Sequence, residues 1–347
     1  MVEFIVNPTF TVAQGSNEES TEEYQKYRWR WNNNPPLNII DDFPIHVDFE
    51  TAAPCNLRCV MCFQSDKEFH EKNKLGYLDF ELFKKGIDEG RQEKFGDKKL
   101  ASIKLNYRGE PLLHPKLVDM VRYAKQKGVI EVMINTNGTL MTEAKARALI
   151  DAGIDKVIFS VDGCTKEVYE SIRVGAKFDQ VVENISRFRR LRDEIGKTNA
   201  VGELKPRIRI QAVLQDLNKH QVEDFKKFWG PHVDIVAFDD MYDMSLGSKG
   251  SFPAVEKEFA CPQLWHRLFV NWNGNITLCC GDTYNQEIVG NLNHDNMEGI
   301  WKNRKLMAFR KLHLDGRSGD MKICDGCGLR GAVLRRMINE RKARGEL

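Results

Sequence analysis

Nine cysteines, at positions 55, 59, 62, 164, 261, 279, 280, 324 and 327 of a 347-residue chain, constrain this sequence more than any other feature. The number is odd, and the opening MVEFIVNPTF has no basic segment ahead of its short apolar patch. Both points argue against a secreted disulfide framework, so the chain is expected to be cytoplasmic. Most of the cysteines fall into two groups, as expected when thiolates hold metal at two places. Cys55-Asn-Leu-Arg-Cys59-Val-Met-Cys62 is a C-x3-C-x2-C run. Three thiolates so close together can reach three corners of an iron-sulfur cube and leave the fourth iron open to a ligand. A zinc site or a redox pair is the alternative, with His70 the one close candidate for a fourth zinc ligand. Cys261, Cys279, Cys324 and Cys327 make a set of four, enough to close an ordinary cluster or a structural zinc site, and Cys280 could replace Cys279.

Lys+Arg 52 against Asp+Glu 50 leaves a formal charge of +2, too little to hold a nucleic-acid backbone. No apolar run approaches the roughly 18 residues of a membrane span. Residues 1–44 carry dense charge, Trp29 and Trp31 between arginines, and the run Asn32-Asn33-Asn34-Pro35-Pro36. They are expected to wrap the surface as an extension. From 45 to 243 short β-type runs alternate with helical patterns. Strands are expected at 45–51, 101–106, 130–135, 156–161, 207–213 and 233–238, and helices at 79–95, 115–127, 142–152, 178–192 and 219–229. Such repeats require a parallel sheet covered by helices, which right-handed crossovers curl into a partial (β/α)6 TIM-type barrel within an α/β fold. The reactive face lies at the strand C-termini. Residues 244–330 break the pattern: a linker, a hairpin over 267–279 turning at Asn273-Gly274, and a helix near 297–312 form a small C-terminal α+β unit. The tail 331–347, with Arg335, Arg336, Arg341, Lys342 and Arg344, reads as a solvated basic helix.

The cysteine triplet after the first barrel strand resembles the signature of the radical S-adenosylmethionine (radical SAM) enzymes. The resemblance runs over about residues 45 to 240, because further motifs recur in order. Gly109-Glu110-Pro111 looks like the family's site for the SAM amino group, with Glu110 as acceptor. Thr136-Asn137-Gly138 and Ser160-Val161-Asp162-Gly163 follow later strands; the resemblance implies that Asn137, Ser160 and Asp162 serve SAM and that Arg173 pairs with its carboxylate. Met61 stands where many members have an aromatic residue near the adenine, and Gln211 is a further cofactor-side candidate. Apart from the family, a ligand with an ammonium, a carboxylate and a ribose needs just such an acidic acceptor, guanidinium fork and polar groups on strand-end loops. The second set, C-x12-G-x4-C followed by C-x2-C, resembles the auxiliary-cluster domains called SPASM and, with cysteines for only one cluster, its shortened form, twitch.

The resemblance implies two 4Fe-4S clusters, SAM, a flavodoxin- or ferredoxin-type electron donor, and SAM cleavage to a 5'-deoxyadenosyl radical that abstracts hydrogen from substrate. The expected function is oxidation of a small polar molecule, a sugar or aminocyclitol, with the auxiliary cluster accepting an electron. A peptide maturase, a sugar or amino-acid epimerase and a non-catalytic metal-binding module are the alternatives. Asp239, Asp240, Tyr242 and Asp243 are candidates for substrate binding or proton removal, His114 is less certain, and Cys164 is a candidate hydrogen donor.

Overall fold

The computed structural model describes residues 3–6, 21–241, 260–325 and 327. Its strands are β1 (Glu3–Val6), β2 (His46–Phe49), β3 (Ser102–Lys104), β4 (Glu131–Thr136), β5 (Lys156–Ser160), β6 (Arg207–Leu214), β7 (Ile235–Asp240), β8 (Arg267–Val270), β9 (Asn275–Thr277) and β10 (Ile288–Asn291). They form one sheet in the order β1-β7-β6-β5-β4-β3-β2-β8-β9-β10. Strands β2 to β7 are parallel neighbours in chain order, the expected partial barrel. The helices are α1 (Glu22–Asn33), α2 (Lys67–Lys72), α3 (Phe80–Gly90), α4 (Leu117–Gln126), α5 (Glu143–Ala152), α6 (Lys166–Ile172), α7 (Phe178–Ile195), α8 (Val222–Trp229), α9 (Gln263–His266), α10 (Met297–Trp301) and α11 (Arg304–Leu314). Among the described residues no helix is long and apolar enough to cross a membrane.

Alternation along each strand sets the two faces of the sheet. Val47, Ile103, Val132, Ile134, Val157, Phe159, Ile208 and Ile210 join the helices in one apolar core. The intervening positions His46, Asp48, Ser102, Lys104, Glu131, Lys156 and Arg209 give the lumen a polar and charged lining. Helix boundaries follow local chemistry. Thr142 caps α5 by accepting from Lys145 N at 3.3 Å, and Gly153 ends it in the left-handed region at φ 87°. The single helix expected near 297–312 is two, because Asn303 interrupts it and caps α11, accepting from Leu306 N at 2.8 Å.

One expectation needs correction. Segment 1–44 supplies regular structure: β1 extends the sheet beside β7, and α1 buries Tyr24, Tyr27 and Trp31 at i, i+3 and i+7. Those rings pack with Ile45, Ala101 and Met133 and close the N-terminal end of the barrel, while Trp29 faces outward. The dense charge of the helix's outer face masks this stripe in the sequence. The expected small C-terminal unit is joined to the barrel through β8, which pairs in parallel with β2 and continues its sheet. The N-terminal segment also keys into it: Trp31 stacks on His266 with centroids 4.0 Å apart, and Trp301 Nε1 donates to Asp41 O at 3.0 Å. The linker at 244–260, apart from its last residue, and the basic tail at 331–347 lie outside the described residues.

Trp31→Ala is expected to lower unfolding free energy by about 3 kcal/mol or more, as removal of a buried indole does, measured by denaturant titration; a loss below about 1 kcal/mol would show that α1 does not hold the barrel floor. His46 is completely buried, and burial draws its pKa from 6.5 to about 4. The unfolded chain therefore binds a proton that the folded chain refuses between those values, and stability should fall as pH drops from 6.5 to 4. His46→Gln should flatten that slope relative to wild type; an unchanged slope assigns the effect to other groups.

Candidate active site

The cysteine loop follows β2 and is held from two sides. Arg58 N donates to Val174 O at 2.9 Å and Val60 N to Ile172 O at 3.0 Å, tying it to the end of α6. From the other side Gly109, at φ 70°, lies so close that a Cβ would stand 2.1 Å from Ala52 O; only glycine fits. Cys55, Cys59 and Cys62 thus face one cavity of about 400 Å³ at the strand C-termini. Burial raises all three thiol pKa values, that of Cys55 to about 11, so a cation bound by the thiolates must displace their protons.

Glu110 and Asn137 line the same cavity beside the cysteine loop. Glu110 is buried and its carboxylate accepts from Thr136 Oγ1 at 2.7 Å, Leu112 N at 3.0 Å and Asn137 N at 2.8 Å. Burial raises its pKa, while those donors oppose the shift and fix the carboxylate toward the cavity. Asn137 Nδ2 lies 3.0 Å from Asn56 Oδ1 and 3.9 Å from Cys55 Sγ. Arg173 lines the cavity with Nη1 3.7 Å from Cys59 Sγ. Its Nε donates at 2.5 Å to Asp162, whose other oxygen accepts from Val213 N at 2.7 Å. Asp162 itself is fully buried and does not line the cavity: it aims the arginine.

Met61, Ser160 and Asp239 line the same space. Gln211 stands behind it, accepting from Arg209 Nη2 at 2.9 Å and donating to Asp239. Asp240 ends β7, and Tyr242 and Asp243 lie outside the described residues. Cys164 packs in the apolar core and does not line the cavity, so a hydrogen-donor role gains no support from its position. His114 likewise turns to a backbone carbonyl, Leu78 O, at 2.9 Å. Among the lining residues that went unnoticed in the sequence, three are polar: Gln64, Asn106 and Asn135. Gln64 Oε1 and Asn135 Oδ1 are buried acceptors without a partner among the described residues. Their signal was a polar residue at an inward strand end or just past the cysteine loop, too common a pattern to stand out.

Cys261, Cys279, Cys324 and Cys327 line a second, smaller cavity with Leu264, Leu278, Ile323 and His313. Cys280 is not part of this lining and instead accepts from Gln263 Nε2 at 3.1 Å, which favours Cys279 as the ligand. His313 is a residue that sequence reasoning missed. Its Nδ1 accepts from Cys261 N at 3.2 Å, which leaves Nε2 to carry the proton, 3.5 Å from Cys324 Sγ. Burial, and then the neighbouring cysteines, hold the Cys279 thiol well above its ordinary pKa. Tyr107 and Arg108 tie the loop that leads to Glu110 to the segment that follows Cys279. The Tyr107 hydroxyl lies 3.4 Å from the carbonyl of Cys279 and 3.2 Å from that of Asp282. Arg108 grips Glu50 at 2.6 and 2.9 Å and donates to Thr283 O at 2.7 Å.

A sequence model of the radical SAM superfamily matches residues 51–205, and one of an iron-sulfur cluster-binding domain, SPASM, matches residues 261–328. A tungsten-containing aldehyde ferredoxin oxidoreductase cofactor-modifying protein of Pyrococcus furiosus is 33% identical over 330 residues, covering 81% of this chain and 88% of its own. The chain belongs to the radical SAM superfamily. This radical SAM protein carries its triplet in the first matched region and all four auxiliary cysteines in the second. It is also 22% identical over 287 residues to an S-adenosyl-L-methionine-dependent 2-deoxy-scyllo-inosamine dehydrogenase of Niallia circulans, covering 81% of this chain and 91% of that one. Its fold matches Streptococcus suis SuiB bound to precursor peptide SuiA with a TM-score of 0.62 at 14% identity, covering 92% of this chain and 81% of that one.

The residues fit what the family implies. A 4Fe-4S cluster suits three thiols that face one cavity, and SAM suits the acidic, guanidinium and orphaned amide groups around them. Asp162→Asn should release Arg173 and raise the dissociation constant for SAM about tenfold, read by equilibrium binding to the reconstituted protein. Unchanged affinity would mean that the Asp162–Arg173 pair only supports the fold.

Proposed function

We propose that this radical SAM protein oxidises a small polar molecule of sugar or aminocyclitol type by two electrons, with one auxiliary cluster as electron acceptor. The observation that carries the reading is the pair of thiol sets whose flanking segments Tyr107 and Arg108 tie, one set opening on the cavity and the other enclosed by apolar side chains. In this reading Cys55, Cys59 and Cys62 hold the first cluster and Cys261, Cys279, Cys324 and Cys327 the second. Bound SAM and the two clusters supply one-electron chemistry that takes a hydrogen atom from an unactivated C–H bond and then receives an electron.

The chain's residues do the rest. Glu110 and Arg173 take the two charged ends of the SAM amino acid, and Ser160 and Asn135 offer polar contacts deeper in the cavity. In this reading Asp239, which lines the cavity, receives the proton that oxidation of an alcohol carbon releases, with Gln211 and Arg209 orienting it. The dehydrogenase relative from Niallia circulans supports oxidation of an aminocyclitol, and the cofactor-modifying relative from Pyrococcus furiosus supports a small-molecule rather than a peptide substrate.

Cys59→Ala should abolish release of 5'-deoxyadenosine after anaerobic reduction. Cys324→Ala should lose about four irons per chain and keep uncoupled SAM cleavage while forming no product. Assays in heavy water against a panel of aminocyclitols and sugars, read by mass spectrometry, should show loss of two hydrogens. Gain of one solvent deuteron with composition otherwise kept would replace oxidation by epimerisation, and turnover of a peptide alone would replace the substrate class. Zinc in place of the second complement of iron would remove the electron acceptor from the scheme.

A further inference from the structure

Among the described residues, one lumen carboxylate, Asp48, faces two permanent cations, Lys104 and Arg267. Asp48, an inward residue of β2, is completely buried. It stands 3.0 Å from Lys104 Nζ, 3.3 Å from Arg267 Nη1 and 3.3 Å from His46 Nε2. Burial keeps His46 neutral, with its pKa brought down to about 4, so one carboxylate serves two permanent cations. The carboxylates nearby are engaged elsewhere. Glu131 pairs with Lys156 at 3.1 Å, Glu50 with Arg108 at 2.6 Å, and Asp239 receives Gln211. A surplus cation inside a protein is costly unless an anion joins it.

Lys104 does not itself line the cavity, but it is more exposed than the other paired lumen cations, Lys156 and Arg267. Its side chain keeps 23% of its surface accessible while its partner Asp48 keeps 0%. It points inward because Ile103 and Leu105 on either side pack into the apolar wall. One inward step further along the chain, Asn106 lines the cavity itself. Lys104 Nζ pairs with Asp48 Oδ1 at 3.0 Å, and an ammonium with three donors keeps the others for a second partner. Arg267 backs the same point, and its Nε is buried without an acceptor.

We propose that Lys104, backed by Arg267, forms a subsite for an anionic group, a carboxylate or a phosphate, carried by the molecule that enters the cavity. This rests on the reading of the cavity as the substrate site and narrows it: the sugar or aminocyclitol bears an acidic substituent. The ammonium gives a charge-assisted contact that a neutral polyol would leave unmet.

The test uses reconstituted holoenzyme with SAM bound, so that an added anion does not report on the site for the SAM carboxylate. Thermal unfolding is followed in increasing inorganic phosphate and, separately, acetate, each against chloride at the same ionic strength. One of the two anions should raise the midpoint saturably beyond chloride, and the stronger one identifies phosphate or carboxylate as the natural substituent. Lys104→Arg should keep the response, whereas Lys104→Met should need about tenfold more anion. No response beyond chloride in the wild type overturns the proposal even if Lys104→Met does not fold, and so does a Lys104→Met response equal to wild type. Release of 5'-deoxyadenosine by the same wild-type preparation is measured in parallel. If it is present without an anion response, the anionic subsite fails alone; if it is absent, the proposed function fails as well.

Discussion

The parallel pairing of β2 with β8 is the contact on which both thiol sites depend. β2 ends at the cysteine triplet, and β8 leads through a hairpin to Cys279, so a register running from His46↔Arg267 to Phe49↔Val270 sets one site relative to the other. The pairing extends past the strands. Glu50 N donates to Val270 O at 2.8 Å, and the Glu50 carboxylate accepts from Trp272 N at 3.2 Å while it holds Arg108. The proposed electron exchange between two clusters requires a fixed separation. A hydrogen-bonded sheet supplies one more rigidly than a linker between domains can.

The interior of the barrel is polar where many parallel barrels are filled with branched apolar residues. Here the apolar core lies between sheet and helices, and the lumen is left to Asp48, Lys104, Glu131, Lys156 and Arg209. Burying these charges costs stability unless they pair or serve a ligand. Most do pair, through Glu131 with Lys156 and through Asp48 with its several neighbours. α1 completes the arrangement by closing the N-terminal end with Tyr27 and Trp31, so that access is from the cysteine side.

Much of this was legible in the chain. The period-two runs of β4, β5 and β6, and the capped helices between them, identify the barrel, because alternation and capping are local properties. The cysteine spacing and the Gly-Glu-Pro, Thr-Asn-Gly and Ser-Val-Asp-Gly runs mark the strand-end loops for the same reason. Less legible were contacts made across long separations. Nothing near His313 announces that it faces Cys324, nothing near Tyr107 that it meets the Cys279 loop, and the charge of α1 hides the stripe that buries it.

By itself the sequence determined the two thiol sets, the order of the β-α units and the family, since each depends on residue identity at short, fixed spacing. Only the tertiary structure decided that Cys279 and not Cys280 turns to the auxiliary cavity, that Asp162 aims Arg173 from behind, that Cys164 is core, and that the C-terminal unit shares the barrel's sheet. Each of these is a question of which way a side chain points or which distant strand it meets. Packing of the whole chain settles such questions, because neighbouring residues on a strand or turn face opposite ways and a one-residue change in register exchanges them.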